Sequence, residues 1–317
     1  MNVAAPSRER LATCASDETF ETKACDERLA VVTPSFARDF RLARELNESV
    51  LRFWPESTKH YLFVDRSDLA LFRALEGRRT IVAAVEDVIP KGIGKLPFAR
   101  RWWFSAAAMV PAKGWLVQQL VKLSAPHFID APVLINVDSD VRFVRPVDPA
   151  AFARGGKTRL YRKPNGIAPG MPHVKWRRNV CRLLGLRPGL VPLDDYVGNL
   201  ISWDRRLVMD LRTRIEAVSG VPWHVAFTRG RLVSEYLAYG IYAREFIGPG
   251  AARVWFDERS WCHTYWGPEP LSAAKVDEFV ARMPEDDVAF SIAGYTTTEP
   301  AVAERATQLA LRRAGTH

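Results

Sequence analysis

Three short apolar runs, each followed by an amphipathic stretch, constrain this chain most. "RLAVVTPSF" (28–36) reads as a buried strand ending at Thr33-Pro34-Ser35, and "KHYLFVDRSD" (59–68) as a second ending at Asp65. "RTIVAAVEDVI" reads as a third. Between them, "ARDFRLARELNESVLRFW" carries Leu42, Leu46, Val50 and Phe53 at helical spacing, and "LALFRALEG" is a short helix closed by Gly77. Continuous apolar strands alternating with helices predict a mostly parallel α/β sheet.

A fourth such unit places the chemistry. "GWLVQQLVKLSAPHF" is a helix with Leu116, Leu120 and Leu123 on its apolar stripe and Gln118 and Lys122, four apart, on another face. "PVLINVDSDVRFVRP" follows, a strand that ends on Asp138, Ser139 and Asp140 before turning apolar again. Two carboxylates that close repel unless a cation or a proton lies between them. Spaced i, i+2 they project to one side, and hard cations such as Mg²⁺ or Mn²⁺ suit their oxygens. Ligands of open α/β sheets bind at these strand ends. The pair has three readings: a diphosphate grip in a sugar-nucleotide transferase, a haloacid-dehalogenase-type phosphatase with Asp138 as nucleophile, or a solvated turn. Arg142 stands where the phosphatase motif wants Thr or Val, which favours the transferase.

Charge and cysteines bound the setting. A formal net charge of +9 draws the chain to anionic partners: phosphates, nucleotides, acidic lipid or nucleic acid. Residues 149–193 hold ten Lys or Arg and no acid, and read as a basic insertion or lid against an anionic acceptor or membrane. Residues 90–101, "PKGIGKLPFARR", form a basic loop whose Lys91, Lys95 and Arg100 can add to a phosphate clamp. Cys14, Cys25, Cys181 and Cys262 are scattered without a CxxC pair, as in free thiols of a reducing compartment. No apolar run approaches the roughly 18 residues of a spanning helix. The expected location is cytoplasmic, with peripheral contact at an anionic membrane face. A nucleic-acid-binding protein is the competing class, on "RRWWF" and "KWRRNV", though no reader motif accompanies them.

The ordered pieces "VVTPSF", "YLFVDR", "QQLVKL", "NVDSDV", "YVGNLISWD", "SEYLAYG" and "WCHTYW" resemble the GT-A-type glycosyltransferases over roughly residues 29–265. The likeness is greatest to a bacterial family of uncharacterised glycosyltransferase-like proteins, and more distant to galactosyl and glycogenin-like transferases. It implies a GT-A-like (Rossmann-like) mixed sheet in one compact domain. It divides the chain into a flexible leader (1–28), a nucleotide-sugar-binding half (29–148), the basic segment (149–193) and an acceptor-side half with a terminal helix (194–317).

The resemblance also implies roles. Thr33, Pro34 and Ser35 would line the base and ribose, with Asp65 beside them. Gln118, Lys122, Asp138 and Ser139 would contact the donor. Asp138, Asp140 and His263 would hold Mn²⁺ or Mg²⁺. Glu235, with Asp195 and its neighbour Asp194 as rivals, would assist the acceptor hydroxyl. The implied donor is a nucleotide-diphosphate sugar, UDP-linked by preference, and the acceptor a glycan or lipid-linked glycan of the cell surface. His60, His127, His173, His224 and His317 read as ordinary packed or solvated histidines.

Overall fold

In the computed structural model, which describes residues 28–96, 102–247 and 253–316, the apolar runs line up as one sheet. Its order is Leu200–Asp204, Val133–Val137, Leu29–Pro34, Lys59–Val64, Thr80–Ala84. The last four run parallel, with Val31 opposite both His60 and Ile135, and Leu200–Asp204 closes one edge antiparallel. The fold is thus a mixed α/β architecture with a parallel-rich central sheet.

The two faces follow from strand alternation. Ala30, Val32 and Leu134 point to a core built with Leu116, Leu120 and Leu123 of the helix Gly114–Phe128 and with Leu207 and Leu211 of Arg205–Ser219. Leu29, Val31, Val133 and Ile135 point the other way, onto Leu46 and Val50 of the helix Phe40–Phe53. The third run departs from expectation: its strand stops at Ala84, and Val85–Val88 turns helical. Glu86 and Asp87 explain the break, since they would sit in the sheet; instead the Arg66 amide donates to Glu86.

Segment 149–193 is structured: strands Ala153–Arg154, Lys157–Tyr161 and Lys163–Ile167, then the helix Pro172–Leu184. One of its cations, Arg159, is fully buried and donates to Asp257 and to the Leu200 carbonyl. Cys181 and Cys262 are buried free thiols. Residues 1–27 of the leader with Cys14 and Cys25, together with Arg100 and His317, fall outside the described residues. No helix among those described is long and apolar enough to cross a membrane.

Candidate functional site

The Asp138–Asp140 turn lies where the chain changes sheets. Val133–Val137 belongs to the central sheet, and Val141–Phe143 pairs instead with Ala289–Ile292. Arg142 braces the turn, donating to the carbonyls of Ser139 (3.1 Å) and Val141 (2.7 Å) and to Glu45 on the Phe40–Phe53 helix. Asp138, Ser139 and Asp140 line one wall of a cavity of about 910 Å³.

The two acids are held differently. Asp138, 44% exposed, accepts from the Lys122 ammonium at 2.9 Å. Asp140 is half-buried, and its oxygens accept from the Ser291 hydroxyl (3.1 Å) and the Gly294 amide (2.8 Å). Burial, with the neighbouring Asp138 charge, pushes Asp140 up to about 6 despite those donors. An acid pair in this state lacks positive charge.

Lys122 supplies part of it. Its ammonium also donates to Tyr236 Oη (2.7 Å) and to Glu235 (3.2 Å). Burial alone would lower its pKa, but Asp138, Tyr236 and Glu235 together hold it well above its usual value. All three ammonium donors are thereby taken by protein acceptors. The expectation that Lys122 meets phosphate is corrected: it is the internal counter-ion of Asp138 and Glu235. Glu235 opens the helix Glu235–Tyr242 and lines the cavity; burial raises its pKa and Lys122 opposes this.

Sequence reasoning missed Gln119. Gln119 lines the cavity; its Oε1 accepts from the Glu235 amide at 3.1 Å, and its Nε2 is buried without a hydrogen-bond partner. Of the residues expected at the base and ribose, Pro34 lines the cavity, and Gln118 lies on its wall as well. Thr33 does not. Its hydroxyl is 3.0 Å from Nε2 of His60, whose Nδ1 is 2.8 Å from Asn47 Oδ1. The Asn47 oxygen can only accept, so Nδ1 donates and Thr33 donates to Nε2. Ser35 is buried off the cavity wall. Asp65 is ion-paired with Lys95, which satisfies both away from the cavity, and Lys91 is exposed outside it.

His263 is the clearest correction. Its Nε2 is 3.0 Å from the Phe279 carbonyl and its ring stacks on Phe279, 4.6 Å between centroids. It borders a second, smaller cavity and is not among the residues around Asp138 and Asp140. Among the described residues no cluster of three or more His, Cys, Asp or Glu is disposed to hold a metal. Asp195 does line the main cavity, yet its oxygens are engaged: Oδ1 accepts from the amides of Tyr196 (2.8 Å) and Val197 (3.2 Å), and Oδ2 faces His173. Asp194 takes ion pairs from Arg244 (2.5 Å) and Arg162 (3.7 Å).

A family model for DUF6492, described as a family of unknown function, matches residues 35–259. The chain belongs to the DUF6492 family. No curated protein matches its sequence. Among solved structures, this DUF6492 protein resembles the apo form of mouse xyloside xylosyltransferase 1, at 12% identity and TM-score 0.45 over 85% of this chain and 99% of that one. It resembles the galactosyltransferase LgtC in complex with donor and acceptor sugar analogs, at 11% identity and TM-score 0.44 over 89% and 95%. It also resembles the apo bifunctional glycosyltransferase WbbM, at 10% identity and TM-score 0.49 over 92% of this chain and 52% of that one.

Proposed function

We propose that this DUF6492 protein is a glycosyltransferase moving a sugar from a nucleoside diphosphate sugar to an acceptor hydroxyl. The observation that carries the reading is the pair Asp138 and Asp140 at the C-terminal end of a central strand, on the wall of the cavity of about 910 Å³, with one ammonium for three carboxylates. The donor set fits a divalent ion of the kind held by one or two carboxylates, with water and substrate phosphates completing the shell. It does not fit an ion held by three protein side chains, because His263 is engaged elsewhere.

Asp138 and Asp140 would hold Mn²⁺ or Mg²⁺, which when bound supplies a Lewis acid for the departing diphosphate. Pro34 and Phe36 on the wall give an apolar surface for base and ribose, a UDP-linked donor being favoured. Glu235, bonded to the Lys122 ammonium, steadies positive charge growing on the sugar ring. The acceptor is a glycan or lipid-linked glycan of the kind used in surface-glycan synthesis.

The test is thermal shift with Mn²⁺ and a series of nucleotide sugars. The wild type should show an Mn²⁺-dependent shift for at least one of them, D140A should lose it, and H263A should keep it. No such shift in the wild type, or one that survives in D140A, overturns the reading.

A further inference from the structure

We propose that His173, oriented by Asp195, takes the proton from the acceptor hydroxyl, and that Trp176 and Trp115 beside it form the subsite for an acceptor presenting a pyranose ring. This rests on the transferase reading and adds to it the base and the acceptor class.

His173 is the second residue of the helix Pro172–Leu184, and its Nδ1 is 2.8 Å from Asp195 Oδ2. An ionised carboxylate only accepts, so Nδ1 carries the hydrogen, and in the neutral ring Nε2 keeps its lone pair. Nε2 makes no hydrogen bond to the described residues, and the ring lies on the wall of the cavity that holds Asp138 and Asp140. A base held in the right tautomer by a buried acid behind it is the arrangement that activates hydroxyls in hydrolases of several folds. Asp195 is fixed in turn by two backbone amides at Oδ1. It is also packed closely: a Cβ at position 166 would come within 2.8 Å of Asp195 Cβ, so the strand Lys163–Ile167 passes only as glycine there. With both oxygens engaged, one by two backbone amides and the other by the imidazole, Asp195 positions His173. Glu235 is less open to an acceptor, its side chain being only 5% exposed and bonded to the Lys122 ammonium.

The second half of the inference is the ring stack. The imidazole lies over Trp176 at 4.5 Å and 23°, and Trp176 packs on Trp115 at 5.3 Å and 38°. Both indoles line the cavity, and Trp115 is 42% exposed. Indoles on a cleft wall, one of them exposed, with one polar group beside them, suit a ligand having an apolar face and a polar edge. A pyranose ring has both: its C–H face lies on indole and its hydroxyls project at the rim, here toward His173.

In the step, the acceptor oxygen forms a bond to the anomeric carbon while its proton passes to His173 Nε2. The bond from that carbon to the diphosphate oxygen breaks, and its electron pair leaves with the nucleoside diphosphate. The imidazolium then gives its proton to water.

The experiment uses the full chain with Mn²⁺, the nucleotide sugar that shifts the wild type most, and p-nitrophenyl glycosides as acceptors. It reads nucleoside diphosphate release alongside the Mn²⁺-dependent thermal shift with UDP. H173A and H173Q should keep the UDP shift while kcat falls about 10²–10⁴-fold, and imidazole should restore at least tenfold to H173A. H173Q can still donate to Asp195, so it separates packing from proton transfer. W115A should raise KM for the glycoside while changing kcat less than threefold. Wild-type kcat in H173Q, no imidazole rescue, or an unmoved glycoside KM in W115A overturns the inference while the transferase reading stands. A wild type without any diphosphate release or UDP shift ends both.

Discussion

Lys122→Met isolates the buried charge cluster beneath the site. The Lys122 and Glu235 side chains are 4% and 5% exposed, whereas Asp138 is 44% exposed. The Asp138 contact is therefore screened by solvent, and little stability is ascribed to it. The cost comes from Glu235, left as a buried carboxylate without its counter-ion, for which about 3–5 kcal/mol is expected. Adding Glu235→Gln removes the orphan charge and leaves only the Tyr236 hydroxyl without its partner, at about 1–3 kcal/mol. The double variant should thus be more stable than K122M by about 2 kcal/mol, estimated from those two ranges. Urea denaturation of the three proteins measures this. The pH dependence gives a second check. In K122M the folded-state pKa of Glu235 rises further above its unfolded value, a shift whose stabilising effect is present at low pH and lost as pH rises through the folded value. The K122M deficit should therefore be smaller near pH 5 than near pH 8. A deficit under about 1 kcal/mol, or a double variant less stable than K122M, refutes the account of Lys122 as counter-ion.

Two further variants test the surroundings. Gly240, in the helix Glu235–Tyr242, leaves room for Tyr196: a Cβ there would sit 2.1 Å from Tyr196 Cγ, so G240A should cost about 3 kcal/mol or more in urea denaturation, and near-wild-type stability would show that the packing is not as described. Asp287 is pushed up to about 6 by burial, opposed by Arg145 and reinforced by Asp286. A raised acid stabilises the fold below its unfolded pKa and loses that contribution as pH climbs to the folded value. D287N should accordingly flatten the fall in stability between about pH 4 and 6 and gain at most about 3 kcal/mol at pH 8; an unchanged pH profile would show that Asp287 is not buried as an acid.

The sheet and the acid pair were legible because both are written locally. Parallel strands buried on two faces must be continuous apolar runs, as "LAVVTP" and "VLINV" are, and a charged pair closing such a run cannot enter the core. Helical spacing correctly put Gln118 and Lys122 on one wall, but whether an ammonium there faces solvent, phosphate or a carboxylate depends on Glu235, 113 positions away. His263 misled for the same reason, its neighbour Phe279 being remote in sequence. For His173 one signal was available: the acid-free stretch that contains it ends just before Asp194 and Asp195, the nearest counter-charges along the chain, and those acids do take Arg162 and His173.

The electrostatics of the acid pair can then be followed to their end. Its positive partner lies partly within the protein: Lys122 matches Asp138 but is shared with Glu235, and Arg142, behind the turn, is already matched by Glu45. Asp140 is left with neutral donors, Ser291 and Gly294, in a half-buried position on the cavity wall. At neutral pH an acid pushed up only to about 6 is mostly ionised, so the turn presents uncompensated negative charge to a cavity. A fold under selection for stability alone would place Asn or Ser at such a position, since removing the charge removes the repulsion. Retaining it makes sense if the missing charge arrives with the substrate, and a diphosphate bringing a divalent ion supplies it.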